Sequence, residues 1–264
     1  MPNEGTGFLP RILTIAKNAF REAVRDRILY NLIVFVLLIT VSAIFLGELT
    51  AGQESRVIIN LGMSAVLLFG AFIAIFVGVS LVWKEIEKKT VYSIFSKPVG
   101  RGEFIIGKYL GLCTTLFVNV VIMCLGVTLA LAYVGGASKT ASIWGAGFLI
   151  FLELTILTAV AILFSSFSTP ALSALLTFFV FLIGHFSSSL LDLAKTIGSS
   201  SAIAVFTGIY YALPNLSNFS FILNAAHGDV PTVSFAGFAT LYAIGFNAVL
   251  LAITVLIFSK RNFK

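Results

Sequence analysis

Two ionisable side chains, Glu153 and His185, fall inside long apolar runs of a chain that is 59% hydrophobic and 11% charged. A carboxylate at the middle of such a run is costly when charged or takes up a proton instead, so both residues are candidates for a proton or ion path. As a hydrolytic site they fall short. One carboxylate and one histidine do not reach the three protein ligands of a catalytic zinc, and neither His-Glu-x-x-His nor Gly-x-Ser-x-Gly occurs. The plainer role is an interhelical polar contact that fixes packing, with Ser173 and Thr177 on the histidine's stripe.

Phosphate chemistry fails for a different reason. Gly102-Glu-Phe-Ile-Ile-Gly107-Lys108 has the glycine spacing and lysine of a nucleotide-binding loop, but Tyr109 stands where the magnesium-binding Ser/Thr belongs and the segment leads into an apolar run. No motif for ATP hydrolysis remains. Cys113 and Cys124 lie in a single run on different turns of one helix, with neither disulfide nor metal-ligand spacing. The chain therefore carries no cofactor motif of its own.

These residues must be positioned by membrane-spanning helices. A mean hydropathy of +1.06 and repeated apolar runs of bilayer-crossing length predict an all-α polytopic membrane protein with six transmembrane helices. The spans are expected near 29–47, 57–83, 109–133, 143–164, 170–190 and 237–258, as one domain over residues 1–264. Early charge and the lack of an Ala-x-Ala-like site after the first run argue against a cleaved leader. Gly62, Gly70, Ala74 and Gly78 put a stripe of small residues on the second span, a packing face.

Residues 9–28 read as an N-terminal interfacial amphipathic helix. Leu9, Ile12, Leu13, Ala16, Phe20, Val24 and Ile28 form its apolar face, and Arg11, Lys17, Arg21 and Arg25 the other, against membrane lipid. Residues 191–236 resist a seventh span because Pro214, Asn215 and Asn218 would break it in mid-bilayer. Short extracytoplasmic or re-entrant helices before the last span are expected there. Asn215-Leu-Ser217 and Asn218-Phe-Ser220 are weak glycosylation sequons in an apolar setting.

A net charge of +6 would point a soluble chain toward nucleic acid, but here the basic residues flank the spans. Six spans put fourteen Lys and Arg on one side and three, Arg56, Lys139 and Lys195, on the other. That asymmetry places both termini and residues 84–108 in the cytoplasm. The 84–108 segment holds nine charged residues. Within it, Ile86, Val91, Ile94 and Phe95 alternate with Glu85, Glu87, Lys88 and Lys89 as in a short amphipathic helix, stopped by Lys97-Pro98 and followed by Gly100 and Gly102. A helix held crosswise at the base of a bundle suits docking to another protein; a solvated loop that only sets topology fits the same periodicity.

The order Trp83-Lys-Glu85-Ile-Glu87-Lys-Lys-Thr90, then Phe95-Ser-Lys97-Pro98-Val99-x-Arg101-x-Glu103, then Gly107-Lys108-Tyr-Leu-Gly111 resembles the cytoplasmic loop of type-2 ATP-binding-cassette (ABC) exporter permeases. The resemblance extends to the N-terminal helix, the six runs, Leu213-Pro214-Asn215 and the basic tail. It implies the permease subunit of an ATP-driven exporter, not itself an enzyme. Two permease subunits, alike or different, would work with two copies of an ABC ATPase that hold ATP and magnesium, in a prokaryotic inner membrane. By position, Glu85, Glu87, Lys88 and Thr90 would lie in or beside the coupling helix, and Pro98 and Arg101 would fix its exit. The alternative is a self-contained secondary transporter or channel using Glu153 and His185. Against it, the two halves show no repeat, and the 84–108 loop has no counterpart at 165–170.

Overall fold

The computed structural model describes residues 8–25, 27–48, 50, 52–87, 100–187, 192, 196 and 200–260. Its elements among those residues are helical: α1 (Phe8–Val24), α2 (Arg27–Glu48), α3 (Glu54–Glu87), α4 (Arg101–Tyr133), α5 (Thr140–Ser165), α6 (Pro170–His185), α7 (Ser200–Ala212), α8 (Ile222–His227) and α9 (Val233–Lys260), with short 3-10 turns at Ala137–Lys139 and Leu216–Phe219. Among the described residues, four helical stretches are long and apolar enough to cross a membrane: Glu54–Leu81, Arg101–Tyr133, Ala137–Ser165 and Val233–Lys260. The apolar stretches Val36–Gly47 in α2 and Pro170–His185 in α6 are shorter.

Helix α5 is the axis of the bundle. It is apolar all round, as a helix surrounded by other helices must be, and packs against α3, α4, α6 and α9. Small residues on α3 make the approach possible. A Cβ at Gly70 would sit 2.5 Å from Leu154 of α5, one at Gly78 would sit 3.1 Å from Ala161, and one at Gly62 would sit 2.9 Å from Val127 of α4. The small-residue stripe is thus the packing face that its spacing requires. A Cβ at Gly78 would also lie 3.4 Å from Leu112 of α4, so the order of these contacts makes α3 parallel to α5 and antiparallel to α4.

Several boundaries differ from those set by hydropathy: the N-terminal helix ends at Val24, not at residue 28, so that Ile28 belongs to α2, and α6 is described only to His185. Helix α4 begins at Arg101, eight residues before its uninterrupted apolar run, because Glu103 reaches back to accept the Gly100 N–H at 2.9 Å and caps the first turn. Helix α3 likewise continues through Trp83 and Lys84 to Glu87. Helix α6 ends at His185, and Pro170 occupies its first turn, where a missing N–H costs nothing.

Between α6 and α9 the chain folds back on the bundle. Helix α7 stops at Ala212, just before Pro214, as a residue preceding proline should. The Pro214 carbonyl then comes so close to α6 that a Cβ at Gly184 would lie 2.7 Å from it. Helix α8 seats on the starts of α3 and α5, where Ser142 Oγ donates to the Ala225 carbonyl at 2.9 Å.

Candidate functional site

Residues 101–111, the first turns of α4, bring together three distant parts of the chain. Helix α1 lies along them. Gly107 and Gly111, four apart on one face, admit it so closely that a Cβ at Gly107 would be 2.6 Å from Ile15, and one at Gly111 would be 2.5 Å from the Ala16 carbonyl oxygen. Ile12, Ala19 and Ala23 are buried in this contact. Charges seal its edges: Lys108 Nζ is 3.2 Å from Glu22, and Arg11 is 4.0 Å from Glu103. Lys108 is 4% exposed, whereas the Glu22 side chain is 42% exposed, so water screens the pair from the glutamate side.

Packing divides the apolar face of α1. Ile12, Ala16, Ala19 and Ala23 turn toward α4, whereas Leu9 and Leu13 stay 69% and 64% exposed. Lys17, Arg21 and Arg25 are exposed, and Arg11 is partly covered. A single 3.6-residue period shows one broad stripe and does not reveal that a helix and a second environment share it.

The last span ends at the same place. Arg101 donates to the carbonyls of Phe258, at 3.2 Å, and Ser259. Phe104 and Phe258 stack with ring centroids 5.9 Å apart and an interplanar angle of 17°, both almost fully buried. Glu85 and Glu87 fall in the last turn of α3. Lys88, Thr90 and Pro98, named with them in the sequence reading, lie outside the described residues.

The second candidate is Glu153. It sits on the α5 axis, 1% exposed, with Oε1 3.5 Å from His185 Nδ1 of α6. The structure therefore brings these two residues together. Neither Glu153 oxygen nor the His185 Nδ1 has a hydrogen-bond partner among the described residues, so the contact has ion-pair distance without hydrogen-bond alignment. Ser173 and Thr177 are fully buried on α6 but turn to local partners: Ser173 Oγ pairs with Ser168 Oγ at 2.6 Å, and Thr177 Oγ1 donates to the Ser173 carbonyl at 2.7 Å. Two ionisable ligands make no metal site, and no cluster of three or more His, Cys, Asp or Glu occurs among the described residues.

Two polar centres make contacts that no motif in the sequence announces. Asn247 Nδ2 donates to Thr155 Oγ1 at 3.0 Å, tying α9 to α5. Asn215 is a hub: its Oδ1 accepts from Ser187 Oγ at 2.6 Å and from Ser217 N–H at 3.2 Å, its Nδ2 donates to Tyr210 OH at 3.1 Å, and its N–H donates to Tyr242 OH at 2.8 Å. An asparagine so engaged and only 8% exposed is no glycan acceptor. Their partners lie up to 92 residues away, beyond any local pattern.

Long apolar helices packed through small residues, with charge gathered at one end of α3 and α4, define an integral membrane protein. A protein-family model described as an ABC-2 family transporter protein matches residues 13–263, and the chain belongs to that family. It is one of membrane subunits that are not themselves catalytic and that associate with an ABC ATPase subunit. No curated protein matches the chain.

Proposed function

We propose that this chain is the permease of an ATP-driven exporter. It would act as a dimer of permease subunits with two copies of an ATPase, which carry the ATP and magnesium. The observation that carries the reading, beside family membership, is the convergence of α1 and the end of α9 on the start of α4, residues 101–108 of the 84–108 segment. A motor docked on that segment and on the exposed basic face of α1 would act on three helices at once.

The fourteen-to-three distribution of Lys and Arg favours six spans with both termini and the 84–108 segment in the cytoplasm. The shorter described stretches in α2 and α6 supply the first and fifth of those spans. Short helices between α6 and α9 then face the outside, and the membrane is a prokaryotic inner membrane. The apolar walls of the bundle suit cargo with a lipid-like, hydrophobic-drug or peptide character.

The test is purification of the tagged chain in mild detergent. A nucleotide-binding subunit should accompany the wild type and be lost from Glu85→Lys with Glu87→Lys, while insertion is unchanged. Retention of the ATPase by that variant would remove the 84–108 segment as the docking site. A well-folded wild type without any ATPase would favour a secondary transporter, the reading to which the buried Glu153 carboxyl, paired with His185 but without a hydrogen bond among the described residues, lends its support.

A further inference from the structure

Helices end with four carbonyls that have no partner within the helix, and the last turn carries the negative end of the helix dipole. At the end of α9 two of those carbonyls, Phe258 and Ser259, accept from one guanidinium, that of Arg101. The residue lies 157 positions earlier in the chain and is the first residue of α4. A planar, permanently charged fork with five donors suits this capping; a lysine offers a single flexible point charge.

The contact is reinforced one turn further along α4 by the Phe104–Phe258 stack. Gly102 lies against α9 as well: a Cβ there would be 3.6 Å from Val255 Cγ1. The same turns hold α1, through the Glu103–Arg11 pair and the close approaches at Gly107 and Gly111. Eleven residues, 101–111, thus touch the N-terminal helix on one side and the end of the last span on the other.

We propose that Arg101 is a positioning residue that fastens the end of α9 to the start of α4, so that α1, the start of α4 and the end of α9 move as one body. A displacement of the 84–108 segment that moves the start of α4 then reaches the last span directly, without passing through the packed centre of the bundle. The inference about motion rests on the reading of that segment as the docking site of the ATPase; the fastening itself does not.

The experiment pairs Gly102→Cys with Val255→Cys in the full chain in native membranes. Cross-link formation is followed by blocking residual thiols with a bulky maleimide, and each single-cysteine variant controls for Cys113 and Cys124. A cross-link should form rapidly, at the same rate with and without a trapped ATP analogue, and the cross-linked chain should keep its ATPase activity in complex. Adding Arg101→Ala should slow cross-linking about tenfold, as loss of hydrogen bonds from a charged donor would, and Arg101→Lys should restore part of it. Arg101→Gln, which keeps a neutral donor, gives a second reading if the alanine variant inserts poorly.

Unchanged cross-linking in both Arg101→Ala and Arg101→Gln would overturn the fastening role. Cross-linking that depends on nucleotide, or that stops ATPase activity, would overturn movement as one body. These outcomes are separable from failure of the exporter reading, because the Arg101 comparison is read without nucleotide and needs no ATPase to be present. Copurification of the ATPase is scored independently.

Discussion

Oε1 of Glu153 lies 3.5 Å from Nδ1 of His185, and this approach joins α5 to α6. The two partners differ in setting: the Glu153 side chain is 1% exposed and that of His185 is 28% exposed. Removing the histidine strands a buried carboxyl, whereas removing the carboxyl leaves an imidazole that can stay neutral and partly solvated. His185→Leu should therefore lower thermal stability in detergent by about 1–3 kcal/mol, while Glu153→Leu should be neutral or stabilising. In the double variant the cost of His185→Leu should disappear, a coupling that a double-mutant cycle reads directly. Equal losses from both single variants would show that the pair contributes through packing alone.

Glycine contacts separate into two kinds. A Cβ at Gly70 would meet the tip of Leu154 at 2.5 Å, and that flexible side chain can turn away. A Cβ at Gly111 would meet the Ala16 carbonyl oxygen at 2.5 Å and Ala19 Cβ at 2.6 Å, so the backbone of α1 must move. Gly70→Ala should cost under about 1 kcal/mol and Gly111→Ala about 1–3 kcal/mol, with α1 displaced from α4. Protease cleavage within residues 8–25 would report the displacement. Similar susceptibility of the two variants would mean that α1 is not held by this close approach.

The long helices and the small-residue stripe of α3 are legible in the sequence because each follows from a local rule, run length in one case and four-residue spacing in the other. The candidate site is legible only in part. The sequence names Arg101, Glu153 and His185, but a chemical type in an unusual place does not say which partner it meets. Arg101 meets the end of α9 across 157 residues, and Asn247 meets Thr155 across 92. Such contacts depend on the final packing of helices, as does the division of the α1 apolar face between α4 and open surface.

Asn215 carries the fold between α6 and α9, since its side chain and N–H together bond Ser187, Ser217, Tyr210 and Tyr242. Asn215→Ala deprives the buried Ser187 hydroxyl and the half-buried Ser217 N–H and Tyr210 hydroxyl of a partner at once and should cost about 1–3 kcal/mol. Asn215→Asp keeps the acceptor for Ser187 and Ser217 but loses the donor to Tyr210, so its loss should be smaller. Thermal unfolding ranks the two variants, and protease sensitivity of residues 213–232 reports whether the segment has lifted. An alanine variant as stable as the wild type would show that Pro214 and the docked α8 hold the segment unaided.

Orientation is the prediction on which the mechanical reading depends. Asn218 and Ser259 are both exposed and lie toward opposite ends of α9, a helix of 28 residues that spans roughly 40 Å at 1.5 Å per residue. If the basic end is cytoplasmic, Asn218→Cys should react in intact cells with a maleimide that cannot cross the membrane. Ser259→Cys should react only after the cells are opened. Cys113 and Cys124, half-buried and buried on α4, should contribute little, and the wild type measures that background. The reverse labelling pattern would put residues 88–99 and the Arg101 junction outside the cell, away from any ATP, and the exporter assignment would have to be abandoned.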